Sequence, residues 1–307
     1  MAKDSCSEMS FCYSTDSSQH AQIDSGVSPA QMVKLKVMNY NVLSQALLEQ
    51  HHYLYKKQKP YMLQWRYRKD LLLNEILTVN PDILCLQEVE EAEIPHFFKN
   101  LEKYGYKSVS KMKTRHKGDG LYLYYRSLDI KLLESDSVEF RQPGIIELET
   151  RDNVGLIARL QKQGKEFIVA TTHLLYNPKR TEVRLAQVQM LLAELHRMAR
   201  KDEDYPASIL LMGDFNSLPN SPVINFVVDG KLSSHYRPLP LCLGISPQCT
   251  HLYQESKLFH SEKQNISSPE CRNESISPSG STSVLTESFM VSHPFNFSSV
   301  YNLMESP

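Results

Sequence analysis

Four apolar runs in this chain each lead into a residue able to move a proton or hold a cation. The first ends at Asn39-Tyr40-Asn41 and the second at Gln87-Glu88. The third, IVATT, ends at His173, and the fourth, ILLMG, ends at Asp214-Phe215-Asn216. In open α/β sheets, sites form outside the carboxyl ends of strands. Here those ends supply an amide, a carboxylate, an imidazole and a carboxylate–amide pair. The set suits hydrolysis of a phosphate ester. A hard Mg²⁺ takes oxygen ligands, usually one or two carboxylates with water and substrate phosphate. Glu88 and the Asn41 carbonyl are the candidate metal ligands, and Mn²⁺ is an alternative ion. The nucleophile is then a water in line with the scissile P–O bond, and Asp214 can orient it and accept its proton. Charge builds on the equatorial oxygens, where Asn216 and His173 can donate.

Each of these residues taken alone also fits a structural role. Glu88 at a strand end suits a solvated acid, Asp214 after Gly213 a turn or helix cap, and His173 a hydrogen-bonded core histidine. Their equivalent placement on separate strands favours a shared site. Other signals stay open. Lys111, Lys113, Arg115 and Lys117 alternate before Asp119-Gly120. They suit a basic strand facing a phosphate backbone or a solvated sheet edge. Lys117 and Asp119 are therefore candidate substrate-binding residues. So is Asn153 in the RDNVG run, which either reaches the site or makes a turn. Tyr53, Tyr55, Tyr61 and Trp65 interleave with Lys56, Lys57 and Lys59. They suit a base-stacking platform or amphipathic packing at a helix entry.

The elements that must position these groups can be read from periodicity. Val33, Leu35 and Val37 alternate with lysines, which predicts a strand with one buried face. Residues 61–79 predict a helix burying Leu72, Ile76 and Val79, stopped by Asn80-Pro81. Asp82 to Gln87 reads as a short apolar strand. Further strands are expected at 119–125, 132–139, 155–160, 166–172 and 209–212. A long helix is expected at 181–200, and a short one from Ser221-Pro222 to Gly230. Residues 1–31, rich in Ser, Gln and Asp, predict a disordered tail. The shift to Ser, Glu, Asn and Pro at about 254–288 predicts a mobile insertion in a domain spanning 32–307. Strands interspersed with helices predict packed sheets with helices outside.

Composition removes several function classes. With 34 Lys and Arg against 35 Asp and Glu, this is no strongly basic nucleic-acid binder, so RNA contacts must come from local patches. None of the six cysteines forms a CxxC pair, which argues against zinc and against a disulfide framework. No apolar stretch follows Met1 and no run is long enough to cross a membrane. The expected location is the cytoplasm or nucleus, without secretion, and no membrane is expected as a partner.

Five strings carry a family resemblance: MNYNVLSQ (38–45), CLQEVE (85–90), RDNVGL (151–156), THLLYNP (172–178) and GDFNSLPNSP (213–222). The chain resembles the endonuclease–exonuclease–phosphatase superfamily, in the branch of carbon-catabolite-repressor-type deadenylases, nocturnin and Angel proteins. The paired THLLYNP and RDNVGL look most like Angel. The resemblance spans roughly 33–230, and 289–301 more weakly through FSSVY. It implies an α/β fold, a four-layer sandwich of two facing sheets flanked by helices. It implies Glu88 and Asn41 at a magnesium ion, Asp214 and Asn216 at the attacking water and scissile phosphate, and His173 near that phosphate. RNA 3′ ends are the implied partner, and removal of a terminal 2′,3′-cyclic phosphate the best-matching activity. A poly(A)-specific 3′-exonuclease uses the same metal and water. Two departures stand out. Leu121 to Tyr125 replace the small residues that usually follow Asp-Gly. No Ser-Asp-His string, which supplies a phosphate-contacting histidine in the family, occurs in the sequence. The resemblance therefore implies a domain lacking its last strands and a form with little or no turnover. A non-catalytic RNA- or protein-binding relative is the third reading.

Overall fold

The computed structural model describes residues 33–199, 208–232, 293 and 295–299, and the backbone of 6–11. One sheet contains β1 (Cys6–Phe11), β2 (Val33–Asn41), β3 (Ile83–Glu90), β4 (Tyr106–Met112) and β5 (Asp119–Arg126), in the order β1-β2-β3-β5-β4. The other contains β6 (Ile130–Glu139), β7 (Val154–Lys162), β8 (Lys165–His173) and β9 (Ser208–Asp214), in chain order. The helices are α1 (Gln45–Gln50), α2 (Trp65–Val79), α3 (Thr181–Ala199) and α4 (Pro222–Asp229).

Three apolar clusters define the layers. Val33, Leu35, Val37, Ile83 and Leu123 meet Leu156, Leu160, Phe167 and Val169 between the two sheets. Met38, Leu84 and Leu86 pack under Leu72 and Ile76 of α2. Ile157, Ile168 and Ala170 pack under α3 and α4 through Leu185, Leu191 and Phe226. Strands such as β2, β3, β5, β7 and β8 thus send alternate side chains to two different cores, as their period of two requires. The result is a helix–sheet–sheet–helix sandwich, the fold class expected from the sequence. Among the described residues, no helix is long and apolar enough to cross a membrane.

The elements match the sequence pattern with instructive exceptions. Residues 61–79 do not form one helix. A 3₁₀ turn at Pro60–Leu63 is separated from α2 by Gln64, which is extended (φ −75°, ψ 134°). Asn80 ends α2 in the left-handed region at φ 49°. β3 runs past Gln87 because Gln87 and Glu88 bulge out of register with β5, between the Leu86 and Val89 pairings. Cys6–Phe11, placed within a structureless tail by its composition, instead pairs antiparallel with β2. The edge of β2 supplies hydrogen-bonding partners that local composition does not reveal. The remainder of that tail and the 254–288 segment lie outside the described residues. Leu121, Leu123 and Tyr125 turn to the inter-sheet core, while Tyr122 and Tyr124 turn toward α2. The bulky run after Asp119-Gly120 is therefore absorbed by two cores.

Candidate active site

Two parallel strand pairs bring the chemistry together. β2 lies beside β3 with Asn41 opposite Gln87, and β8 lies beside β9 with His173 opposite Asp214. Hydrogen bonds stitch these ends across the sandwich. Asn39 Nδ2 donates to the Gly213 carbonyl at 3.1 Å, and Gln87 Nε2 donates to Thr171 Oγ1 at 3.2 Å and Asn39 Oδ1 at 2.8 Å.

At the centre is the Asn41 side-chain amide. Its Nδ2 donates to Glu88 Oε1 at 2.8 Å and to Asp214 Oδ2 at 3.0 Å. Its Oδ1 accepts from the Leu43 N–H at 3.0 Å. Glu88 sits on the bulge at φ 60°, a left-handed conformation unusual for a non-glycine residue and often kept at functional sites. Its second oxygen accepts from the Ser44 N–H at 3.0 Å. Burial pushes the Glu88 carboxyl up, against the hydrogen bonds from Asn41 and Ser44.

His173 is buried, with Nε2 at 3.9 Å from both Glu88 Oε1 and Asp214 Oδ2. Burial is the largest influence on its ring, followed by the Lys113 charge, and together they push it down to about 4 against the pull of Asp214. The ring is therefore neutral at pH 7, and the 3.9 Å approaches are not ion pairs. Nδ1 has no hydrogen-bond partner among the described residues. Asp214 Oδ1 accepts from the Asn216 N–H at 2.9 Å, closing a tight turn with Asn216 at φ 46°. Asn216 Nδ2 donates to the Leu174 carbonyl at 2.9 Å.

Asn41, Glu88, His173, Asp214 and Asn216 thus converge as the sequence suggests. Of the three candidate substrate residues, Asn153 contacts this group at the His173 backbone, while Asp119 and Lys117 pair with other charges. Asn153 Nδ2 donates to the His173 carbonyl at 2.9 Å, and its Oδ1 accepts from Gln187 Nε2 at 3.2 Å, so it braces the histidine from behind. Asp119 is buried against Lys113, with Nζ 2.6 Å from Oδ2. Lys117 lies 3.7 Å from Asp152 at the surface. The alternating basic run is not one phosphate-facing strand, because the strand ends at Met112 and each cation is paired with an acid, Arg115 and Lys117 sharing Asp152. Lys111 pairs with Glu139 at 2.6 Å, and Arg115 pairs with Asp152 at 2.7 Å.

The sequence reading missed several supporting residues. Gln187 is fully buried on α3, and its Oε1 accepts from the Leu175 N–H at 3.0 Å. Its signal was legible: Val183, Gln187 and Leu191 follow i, i+4 spacing, so an amide interrupts an apolar stripe. Arg68 was also missed. Its Nη1 donates to the Val42 and Leu43 carbonyls at 2.9 and 2.8 Å, and Nη2 to Gln45 Oε1 at 3.0 Å. It clamps the loop that carries Ser44. Among the described residues, no three His, Cys, Asp or Glu side chains are grouped as an all-protein metal cage.

The model of the Endonuclease/Exonuclease/phosphatase family matches residues 38–260. The chain belongs to this family. Within the Endonuclease/Exonuclease/phosphatase family it is 40% identical over 231 residues to protein angel homolog 1 of Homo sapiens, covering 71% of this chain and 34% of that protein. It is 35% identical over 300 residues to protein angel homolog 2 of Homo sapiens, covering 87% of this chain and 53% of that protein. The chain thus spans about a third to a half of these two relatives. Among solved structures, ANGEL2, a 2′,3′-cyclic phosphatase, superposes with a TM-score of 0.68 at 35% identity, covering 86% of this chain and 74% of that one.

Proposed function

We propose that these residues form the metal- and water-holding part of a phosphoesterase that hydrolyses the terminal 2′,3′-cyclic phosphate of RNA. One observation carries the reading. A single amide, Asn41, bridges the carboxylates of Glu88 and Asp214, with a neutral imidazole 3.9 Å from each.

The donor set fits a hard divalent cation. Two carboxylates meet at one neutral donor, and burial disfavours the charge on Glu88. A carboxylate and an amide oxygen, completed by water and phosphate oxygens, match the partial protein coordination that Mg²⁺ accepts. Glu88 and Asn41 would hold the ion. Turning the Asn41 amide about its last bond exchanges Oδ1 for Nδ2. When bound, such an ion polarises a phosphoryl oxygen and offsets the charge that develops on it.

The chain's own groups have separate tasks. Asp214, more open than Glu88, orients the attacking water and accepts its proton. The neutral His173 ring and the Asn216 amide are donors to the phosphoryl oxygens. Gln187 and Asn153 fix the backbone beneath His173. The likeness to ANGEL2 supports the substrate class. Ser-Asp-His does not occur among these 307 residues. His173 and Asn216 are the phosphate-side donors that these residues supply. Loss of one such donor typically costs about 10²–10³ in rate.

The test is a single-turnover assay with protein in excess and Mg²⁺ present. One RNA ends in a 2′,3′-cyclic phosphate, and one ends in an A-tail with a free 3′-OH. The reading predicts faster loss of the cyclic phosphate than trimming of the tail. Faster trimming would select the exonuclease reading, and no product from either RNA would reject phosphoester hydrolysis by these residues.

A further inference from the structure

Residues 51–69 form a cationic and aromatic surface that the site chemistry above does not use. Six Lys or Arg occur there and no Asp or Glu, in a chain whose net charge is −1. Lys56, Lys57 and Lys59 are exposed and have no acidic partner among the described residues. Trp65 packs on Phe97 and Phe98 at the start of α2, but the tyrosines do not follow it into the core. Tyr53 is 60% exposed, Tyr61 50% and Tyr67 38%. Tyr61 and Tyr67 meet edge to face at 5.3 Å, which holds two rings together at the surface. Isolated exposed aromatics need no explanation, but several rings interleaved with unpaired lysines do.

The surface adjoins the candidate site. Arg68, at its end, holds the Val42 and Leu43 carbonyls, one residue from Ser44, whose N–H holds Glu88. Tyr55 lies close enough to feel the charges of Glu88 and Arg68, and Tyr176 beside it is 62% exposed.

We infer that residues 51–69 are a platform for single-stranded RNA, holding the nucleotides that precede the 3′ end at Glu88 and Asp214. This rests on the phosphoesterase reading for the identity of the bound end. Phosphates of the strand meet Lys56, Lys57 and Lys59, and bases stack on Tyr53 and Tyr61. A cationic groove with aromatic faces binds single strands with little sequence preference, because every base offers a π-face. The site then recognises the terminus and the platform recognises the strand.

The experiment is fluorescence anisotropy with the full 307-residue chain and a labelled 12-nucleotide RNA, across a range of salt concentrations. Variants are the triple Lys56→Gln, Lys57→Gln, Lys59→Gln; the double Tyr53→Ala, Tyr61→Ala; and a charge-matched control, Lys34→Gln, Lys131→Gln, Lys165→Gln. The control lysines lie toward the ends of β2, β6 and β8 away from His173. The platform triple should lower the slope of log affinity against log salt by about 2, since each single-strand phosphate contact contributes about 0.7. The tyrosine double should weaken binding about 5- to 150-fold per stacked base, with the slope unchanged. The control triple should retain more of the wild-type slope than the platform triple. Equal slopes in the two triples, or no RNA binding by the wild type, would overturn the platform. So would a poly-glutamate peptide that binds as tightly as RNA and ignores the tyrosine changes, which would point to an acidic protein surface. RNA ending in a plain 3′-OH is titrated without metal in parallel. Those readings hold even if the hydrolysis assay fails, so the two outcomes are separable.

Discussion

His173 and Asp214 end neighbouring parallel strands in register, and Nε2 of one stands 3.9 Å from Oδ2 of the other. A turn and a long-range hydrogen bond fix the relationship: Asp214 Oδ1 is held by the Asn216 N–H, and the His173 carbonyl by the Asn153 side chain. Neither residue is free to drift toward the other, so the gap between them is built into the backbone.

The neutrality of His173 makes stability depend on pH with a defined sign. Its folded value of about 4 lies below the ordinary 6.5. Between these values the unfolded chain binds the proton and the folded chain does not. The His173 contribution is therefore intact above 6.5 and lost as pH falls toward 4, by up to about 1.4 kcal/mol per pH unit. The raised Glu88 carboxyl acts in the opposite sense, so the effect is isolated with a variant. Urea unfolding at pH 7 and pH 5 should show a smaller acid-induced loss for His173→Gln than for the wild type. Equal losses would contradict a buried neutral imidazole.

Gly213 is predicted to be indispensable. Its φ is +135°, and a Cβ there would lie 2.3 Å from the Thr172 carbonyl oxygen on β8. Gly213→Ala must push β9 from β8 and move Asp214 with it. A destabilisation of about 2–5 kcal/mol is expected by urea unfolding, typical of strain at a special backbone position. A loss below 0.5 kcal/mol, the range of ordinary surface changes, would show that the strands adjust freely.

Gln187→Leu tests the brace behind His173. The leucine would leave the Leu175 N–H and Asn153 Oδ1 without their partner. An unsatisfied buried polar group costs about 1–3 kcal/mol. Calorimetry should report a lower Tm for this variant, and an unchanged Tm would remove Gln187 from the support of the site.

Much of this arrangement was legible in the residues themselves. Strand-end placement of Asn41, His173 and Asp214 follows from apolar runs that stop at polar residues, whereas Glu88 sits on a bulge inside β3. The cores follow from alternation in strands such as Val33–Asn41. What was not legible was pairing. The strand at Cys6–Phe11 depends on the open edge of β2 rather than on its own sequence. Lys117, Asp119 and Asn153 have the right types for substrate contact, yet their partners are Asp152, Lys113 and the His173 carbonyl. Those partners are distant in the chain, and periodicity says nothing about them. The bulge that turns Glu88 to φ 60° is likewise a mismatch between β3 and β5. Neither strand encodes it alone.

A divalent ion that binds the folded chain should raise its Tm by mass action. Mn²⁺ titrated into the wild type should do so progressively, while Glu88→Ala should show little rise. Equal rises in both proteins would place the ion elsewhere.

The most direct measurement is binding of adenosine-2′,3′-vanadate, the ligand seen with ANGEL2. Transition-state analogues bind about 10²–10⁸-fold more tightly than substrates, so affinity can be read even where turnover is slow. Isothermal titration with and without Mg²⁺ should give Mg²⁺-dependent binding in the wild type and its loss in Glu88→Ala. Binding of equal strength without Mg²⁺, or in Glu88→Ala, would contradict the assignment of Glu88, Asn41 and Asp214 as a metal-dependent cyclic-phosphate site.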